Sequence, residues 1–360
     1  MLFSLAYQFQ TPVKPLYPGG REWRGQKNIA RAKRLGVNVK ILSFLIFIPL
    51  QILMIPFAIT GVLWTAYKQV LVSKKLGTSQ TAIEVLNGRW TMHVFGMRQD
   101  IAAAKLANRL PNTSTFGLWL VLFPLWLKYK ISGRYFAYPV LPVSGKESIA
   151  ELIIARTTYL DHMIKRVIKS TEQFVVMGAG YDTRAYDPAL FKQTFFELDH
   201  QTTQAMKKSW LAKAGVDSDH VNFVALDFSQ DNLFEKLSVS EFDQNKPSVF
   251  LWEGVTLYLS ESDVKKMLRT FKQQAAPNSV LLVDFYAQRL IKVMDNKAAA
   301  SALDLTNEGL TFGLPLETNE SDVFNEFIES QGLIVGETHY LGSETKKGCY
   351  AVISEIRRPE

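Results

Sequence analysis

The sequence predicts an α/β fold in which a mainly parallel β-sheet is covered by helices on both faces. From about residue 146 onward, short runs of β-branched and aromatic residues alternate with amphipathic segments. The predicted strands are Gln173–Met177, Thr194–Leu198, Val221–Leu226, Ser248–Trp252 and Val280–Phe285. Strands separated by one helix each form right-handed βαβ units, and such doubly wound sheets bind ligands at the carboxyl ends of their strands.

Helices are predicted between these strands, at Thr202–Ala214 and Glu261–Gln274. Ser260 is a suitable N-cap for the second helix, with Asp263 three residues further on. Two late runs, Leu333–Tyr340 and Cys349–Ile353, predict an antiparallel hairpin at the sheet edge. The whole is therefore expected to be a Rossmann-like domain.

Composition excludes several classes of protein. Of the 360 residues, 47% are hydrophobic and 21% charged, which excludes a disordered chain, and the single cysteine excludes a disulfide scaffold. The net charge of +7 is concentrated at the N-terminus, since residues 1–80 hold eleven basic residues and one acid, whereas the remainder holds 30 basic and 33 acidic residues. Anionic membrane lipids are therefore the expected partner of this arm, and no nucleic acid is expected.

An uncharged run of 27 residues, Ile41 to Tyr67, interrupts the basic arm. It is long enough to span a bilayer core, and Lys40, Lys68 and Trp64 are placed as interfacial anchors; a buried core helix is the alternative. We expect a basic arm with a membrane hairpin or span (1–75), a helical lid or substrate region (76–145) and a cofactor-binding domain (146–360).

The topology of the arm stays open at the sequence level. Basic residues before the run favour a cytoplasmic N-terminus, and a single span would then place the C-terminal domain outside. Pro49, Pro56 and Gly61 offer the alternative of two short helices that form a re-entrant hairpin. A second uncharged stretch, 116–127, is too short to span and predicts either an interfacial segment or a core helix.

Glycines and acidic residues follow four successive predicted strands. These residues are Gly178, Ala179, Gly180 and Asp182 after the first strand, Asp199 after the second, Asp227 with Phe228 after the third, and Glu253 after the fourth. Glycines permit a tight turn against a ligand, and a carboxylate at the position of Asp199 can accept hydrogen bonds from ribose hydroxyls. Each acid alone is an ordinary loop residue, but four in register predict a nucleoside-binding site.

The residues around Asp182 favour one nucleoside cofactor. A dinucleotide fingerprint needs a glycine at position 183, which here is Thr183, and Asp182 would place a negative charge beside the phosphates. A cofactor with no phosphate and a cationic amino-acid end, S-adenosylmethionine, suits Asp182 better than NAD or FAD. Val140 and Glu147 exclude a P-loop around Gly145-Lys146, and the scattered histidines predict no metal site.

The motifs resemble those of the leucine carboxyl methyltransferase family, and in particular its bacterial branch of S-adenosylmethionine-dependent O-methyltransferases. The matching segments are Arg156-Thr157-x-x-x-Asp161, Val175 to Tyr186, Phe196 to Asp199, Leu226-Asp227-Phe228, Trp252-Glu253-Gly254-Val255-x-x-Tyr258-Leu259, and Leu310 to Pro315. The resemblance covers about residues 80–355. The hydrophobic arm has no counterpart in the soluble members, and residues 80–145 match poorly.

The resemblance implies a class I methyltransferase fold with a seven-stranded, mainly parallel sheet. It implies roles for these residues: Arg156 at the cofactor's carboxylate, Gly178 and Gly180 along its methionine moiety, Asp199 at the ribose, Asp227 and Phe228 at the adenine, Glu253 at the amino end, and Tyr258 and Phe312 at the acceptor pocket.

We expect methyl transfer to a carboxylate or an acidic hydroxyl, because a carboxylate needs no general base and no base stands out in the matched motifs. No catalytic residue is assigned, and the acceptor and oligomeric state stay open. Since S-adenosylmethionine is made in the cytosol, the domain is expected to be cytosolic. The alternatives are a membrane-tethered Rossmann-like binding protein without catalytic activity and a nucleotide-dependent oxidoreductase.

Overall fold

The computed structural model describes residues 39–190, 192–294 and 309–359, and the structural statements below concern these residues. The basic residues of the arm that precede residue 39 lie outside them.

The N-terminal part is helical. Its helices are α1 (Val39–Leu76), α2 (Gln80–Val94), α3 (Ile101–Ala107), α4 (Thr115–Ser132) and α5 (Leu152–Val167). Polar side chains cap three of them: Ser79, Asp100 and Ser114 accept hydrogen bonds from backbone N–H groups in the first turns of α2, α3 and α4.

The uncharged run forms a single continuous helix. Pro49 and Pro56 lie inside its α-helical part, Val39–Tyr67, and a π-helical segment, Lys68–Val72, continues it. Each proline removes only one backbone N–H donor from the helix, and the apolar residues between the two prolines continue the helix. The alternative in which the prolines divide the run into two helices is therefore wrong. Among the described residues, α1 is the one helix long and apolar enough to cross a membrane by length and composition.

The sheet has seven strands. They are β1 (Gln173–Met177), β2 (Thr194–Asp199), β3 (Val221–Ala225), β4 (Ser248–Trp252), β5 (Val280–Tyr286), β6 (Ile334–Leu341) and β7 (Ala351–Arg357). Their order is β3-β2-β1-β4-β5-β7-β6, and only β7 runs antiparallel to its neighbours. The five predicted parallel strands and the late antiparallel pair are confirmed, with β6 at the edge and β7 inside.

Further helices cover both faces of the sheet. They are α6 (Gln201–Lys213), α7 (Leu233–Ser238), α8 (Glu261–Gln274), α9 (Gln288–Met294) and α10 (Glu320–Glu329). Helix α8 has the predicted bounds, and Ser260 caps it by accepting from the Asp263 N–H at 3.2 Å. One apolar core lies on each face, because the central strands β1 and β4 are buried throughout.

The second uncharged stretch, 116–127, lies within α4. Leu122 and Pro124 are buried, Leu125 packs against the domain core, and Phe116 at the start of the helix stays exposed. The stretch is thus a packed helix, which was one of its two predicted alternatives.

An ion pair is buried beneath the sheet. The Lys207 ammonium of α6 lies 2.6 Å from the Glu197 carboxylate of β2, and both side chains are almost fully buried. Burial raises the pKa of Glu197 to about 6, even though the Lys207 charge opposes that shift. Such a pair is costly to break, because the remaining charge stays buried and unpaired.

Replacing Lys207 by Met is therefore expected to destabilise the protein by about 3–5 kcal/mol in urea unfolding. Lys246→Met, which breaks an exposed pair with Glu172, should cost about 1 kcal/mol or less. The loss at Lys207 should grow as the pH rises, because a carboxyl with a raised folded-state pKa destabilises the fold once it ionises. Equal losses in the two variants would show that the buried pair contributes no more than a surface pair.

Candidate functional site

A cavity of about 670 Å³ opens at the carboxyl ends of β1 to β4. Its wall includes all nine residues predicted to bind the cofactor, namely Arg156, Gly178, Ala179, Gly180, Asp182, Asp199, Asp227, Phe228 and Glu253. Helices α2 and α5 contribute the opposite side through Arg89 and Arg156. The parallel strands thus bring residues separated by up to 75 positions, from Gly178 to Glu253, around one space, as the strand-end pattern required.

The backbone of the loop after β1 allows a ligand to approach it closely. Gly178 has φ +69° and Gly180 has φ +40°, and the N–H groups of Gly178 and Ala179 both donate to the Leu198 carbonyl at 2.8 and 2.9 Å. A side chain at position 178 would meet the Val255 Cγ2 atom at 2.3 Å. Glycine is therefore required here by conformation and by space.

Asp199 is oriented by two backbone donors. Its carboxylate accepts from the Gly180 N–H at 2.6 Å and from the His200 N–H at 2.7 Å. Burial raises the pKa of Asp199, and these two hydrogen bonds counteract only part of the shift. The carboxylate is thereby fixed against the glycine loop at the cavity wall, where it can accept further hydrogen bonds.

The end of β3 provides an acid and an aromatic ring. The Ser229 hydroxyl donates to Asp227 Oδ1 at 2.7 Å, and this hydrogen bond is the main cause of a lowered pKa of Asp227. Phe228 is buried with its ring 6.2 Å from the ring of Trp252. The pair offers an acceptor and an apolar face to one side of the cavity.

Buried ion pairs join the loops after β1 and β4. The Arg184 guanidinium lies 2.5 Å from both Asp182 and Glu253, and Arg89 contacts the same two carboxylates at 2.7 and 3.0 Å. Burial alone opposes ionisation of Asp182, but the two arginines outweigh it and hold its pKa well below the usual range. Asp182 and Glu253 were expected to face a cationic cofactor group; in the structure, arginines already neutralise both.

Arg156 is also engaged by protein groups. Its Nε lies 3.0 Å from Glu253, and its Nη1 donates to Asp284 at 3.1 Å and to the Tyr286 hydroxyl at 2.5 Å. The Asp161 of the R-T-x-x-x-D motif holds Arg184 Nε at 2.8 Å. The motif therefore serves to position charges at the base of the cavity.

Arg89 is a site residue that the sequence did not single out. Its side chain is 1% exposed, and its Nε and Nη1 groups have no hydrogen-bond partner among the described residues. Buried N–H groups without a partner are rare, and a carboxylate is a strong hydrogen-bond partner for an arginine. No local signal marked this residue, because one arginine in a helix is ordinarily solvated and residues 80–145 carry no matched motif.

The part of the cavity where Tyr258 was expected to border the acceptor is formed by the start of α2 and the turn after β4. The Tyr258 hydroxyl lies 2.7 Å from the Thr81 hydroxyl, and Glu84 lies one turn further along α2. No hydrogen bond or ion pair joins Glu84 to another described residue. The surrounding protein reduces the contact of the Glu84 carboxylate with water and so raises its pKa. The positive charge of Arg156 offsets only part of this shift. Glu84 too was missed from the sequence.

Phe312 is not part of this wall. Its ring is buried in the core, 5.7 Å from the ring of Phe327 and 6.4 Å from that of Phe285. An aromatic ring gains more by filling this apolar space than by facing a polar cavity. From the same loop, Gly309 lines the cavity instead. Among the described residues, no group of three or more His, Cys, Asp or Glu side chains could hold a metal ion.

The sheet order, the single antiparallel strand and the cavity at the strand ends define a Rossmann-like methyltransferase fold. The family model described as leucine carboxyl methyltransferase matches residues 141–272, so the resemblance predicted from the motifs is confirmed for this segment.

Relatives agree with this match. "Putative S-adenosyl-L-methionine-dependent methyltransferase YktD" of Bacillus subtilis is 24% identical over 51% of this chain and 61% of its own length. A protein of Mycolicibacterium paratuberculosis with the same description is 33% identical over 36% of this chain and 44% of its own. A solved structure, magnesium protoporphyrin IX methyltransferase (ChlM) of Synechocystis PCC 6803 with bound SAH, is 10% identical over 60% of this chain and 90% of that chain, with a TM-score of 0.38.

The descriptions of these relatives name the enzyme class and the cofactor, S-adenosylmethionine, that the sequence predicts. The chain spans about half the length of the relatives it matches, and the matched part is the segment that carries the strand-end residues.

Replacing Gly178 by Ala should destabilise the fold for two reasons. A left-handed residue with a side chain costs about 1–2 kcal/mol, and the contact with Val255 should add about 1–3 kcal/mol. Gly215→Ala is the matched control, because Gly215 has φ +62° but open space around its Cα. Thermal unfolding of both variants separates the two effects, and equal shifts in Tm would exclude the steric one.

Proposed function

We propose that this protein is a membrane-associated, S-adenosylmethionine-dependent O-methyltransferase that acts on an acidic hydroxyl or carboxylate of a lipophilic acceptor. The observation that carries the proposal is the single cavity in which all the predicted strand-end residues meet, with buried arginines on its far side. The proposed acceptor and the membrane association go beyond what the relatives' names say.

The residues of the cavity fit the cofactor. Asp199 would accept hydrogen bonds from the ribose, Asp227 and Phe228 would hold the adenine, and the glycine loop leaves room that a Cβ would fill. Arg89, with two unpaired buried N–H groups, and Arg156 would hold the carboxylate of the methionine moiety. When bound, the cofactor supplies a methyl group on a sulfonium, which an oxygen nucleophile can attack directly.

The protein's own contribution is to position the acceptor and to control its proton. Glu84 lies on α2 between Thr81, which contacts Tyr258, and Arg89, which contacts Glu253. It is thus a carboxylate at the acceptor end with no partner of its own among the described residues. A second carboxylate beside Glu84 would be repelled, whereas an acidic hydroxyl can donate its proton to it. We therefore favour the hydroxyl acceptor and assign Glu84 as its general base.

A lipophilic acceptor is supported by the position of the cavity. Gly77, Thr78 and Ser79 line it, and these residues directly follow the apolar helix α1. The exposed apolar side chains of α1 would keep the cavity near a membrane surface, on the cytosolic side where S-adenosylmethionine is made.

Asp199→Ala is expected to abolish the binding of S-adenosylmethionine and of its demethylated product, as measured by isothermal titration calorimetry. Asp219→Ala, at an exposed position away from the cavity, should bind as the unaltered protein does. Affinity in the unaltered protein should fall as the pH drops through the raised pKa of Asp199, since the protonated carboxyl loses an acceptor. Absence of binding to the folded, unaltered protein would refute the proposed function.

Glu84→Gln should lower the rate of methyl transfer to a hydroxyl by about 10²–10⁴-fold and leave the affinity for S-adenosylmethionine unchanged. The rate of the unaltered enzyme should fall as the pH drops through the raised pKa of Glu84, and the variant should lack that limb. Product is measured by mass spectrometry after incubation of a total lipid extract with the cofactor carrying a labelled methyl group. Glu329→Gln, on the exposed end of α10, serves as the control. An unchanged rate in Glu84→Gln would show that Glu84 is not the general base. The acceptor would then be a carboxylate, which needs no base.

A further inference from the structure

Helix α1 exposes a continuous apolar surface. Its outward face consists of the exposed apolar side chains between Ile41 and Trp64, and Leu45, Leu53 and Leu63 are each 66% exposed. No charged residue interrupts this face from Ile41 to Tyr67. Water-soluble proteins rarely expose an apolar surface of this length, which marks a site of interaction with a partner or a membrane.

The opposite side of α1 packs along α4. The two helices run antiparallel, because Gly61 and Thr65 near the end of the apolar run lie against Gly117 at the start of α4, whereas Phe44 near its beginning lies 4.6 Å from the Lys128 ammonium at the other end. The close contact is possible because both Gly61 and Gly117 lack side chains. From Phe44 to Thr65, α1 is therefore covered on one side over about 30 Å.

The other side of α4 packs on the globular domain. The ring of Trp119 lies 5.7 Å from that of Trp90, and the ring of Tyr129 lies 6.0 Å from that of Phe95. Helices α1, α4 and α2 thus form three successive layers. The domain lies beside the apolar run and does not lie beyond its end.

This arrangement is incompatible with α1 crossing a bilayer in its packed position. A crossing would bring α4 and the adjacent flank of the domain into the hydrocarbon, including the end of α4 that carries Lys128 and Lys130. Charged groups in the hydrocarbon carry a large cost. An orientation with α1 parallel to the membrane places only its outward face among the acyl chains.

The charges around α1 match an anionic lipid surface. Lys40 precedes the apolar run, Lys68, Lys74 and Lys75 follow it, and no acidic residue lies between Lys40 and Gln80. At the C-terminal end of the run, Trp64 and Tyr67 stack at 5.6 Å, and such rings prefer the interface between lipid and water.

We infer that α1 docks flat on an anionic phospholipid membrane, with its axis in the membrane plane and its outward face inserted into one leaflet. The inference rests on the membrane association proposed above and is independent of the chemistry of methyl transfer. An in-plane helix needs no crossing, so both ends of α1 and the cofactor-binding domain stay on the same, cytosolic side of the membrane.

The test measures the depth of three positions on the outward face. Leu45→Cys, Leu53→Cys and Leu63→Cys are made singly in a Cys349→Ser chain, since Cys349 is the only cysteine. Each is labelled with a fluorophore and bound to vesicles of phosphatidylcholine and phosphatidylglycerol that contain lipids brominated at different depths. An in-plane helix gives one shallow depth for all three labels. Val239→Cys, 85% exposed and outside α1, should stay in water.

Three results would overturn the inference. A deep label at Leu53 between shallow labels at Leu45 and Leu63 would show a spanning helix. Labels shielded from water before vesicles are added would place a second copy of the chain on this face. Labels that stay in water with vesicles present would also refute the proposed membrane association. Calorimetry with S-adenosylmethionine would still test the proposed enzyme activity separately.

A second measurement does not depend on labels. Leu53→Glu in the full chain should reduce co-flotation with the same vesicles at least about tenfold, because a charge would then have to enter the acyl region. Val239→Glu should float as the unaltered protein does. Because Leu53 is exposed, the affinity of Leu53→Glu for the cofactor should be unchanged. An unchanged affinity would confirm that the variant is folded. Unchanged flotation of Leu53→Glu would contradict the docking face.

Discussion

The buried cluster of arginines and carboxylates beneath the cavity holds the other parts of the site in place. Arg184 lies 2.5 Å from both Asp182 and Glu253, which come from the loops after β1 and β4, and Arg89 reaches the same carboxylates from α2. Each ion is almost fully out of water, so its stability depends on keeping its partners. Two strand ends and a helix from another part of the chain are consequently fixed relative to one another, and the shape of the cavity follows from their positions.

Helix α2 connects this cluster to the proposed membrane surface. It carries Arg89 and Glu84 toward the cavity, and on another side its Trp90 packs against Trp119 of α4, on which α1 lies. The loop Gly77–Ser79 between α1 and α2 is itself part of the cavity wall. The end of the cavity proposed for the acceptor and the apolar surface of α1 are therefore connected through the packed helices α2, α4 and α1, which suits an acceptor that comes from a lipid phase.

Most of the sheet and much of the cavity could be predicted from sequence. The strands are short apolar runs bounded by polar segments, and the acidic residues that follow them must meet because parallel strands end at the same edge. Asp199 and Asp227 are examples. The roles of Asp182 and Glu253 were less accessible, because Arg89 and Arg184 meet both carboxylates at once only in the folded chain. Phe312 was misplaced because an aromatic residue in a loop fits a pocket and a core equally well.

The sequence by itself determined the α/β sheet, the glycine and acidic residues at its strand ends, the likeness to a methyltransferase family and the long uncharged run. These features depend on residue types and on spacing along the chain, which the sequence contains directly. Only the tertiary structure decided that Arg89 and Glu84 face the cavity, and that α1 lies beside the domain along α4. Such facts depend on contacts between distant segments, as between Arg89 and Glu253, 164 residues apart. Whether a charge is paired, or an apolar face covered, is decided by the groups that folding brings next to it.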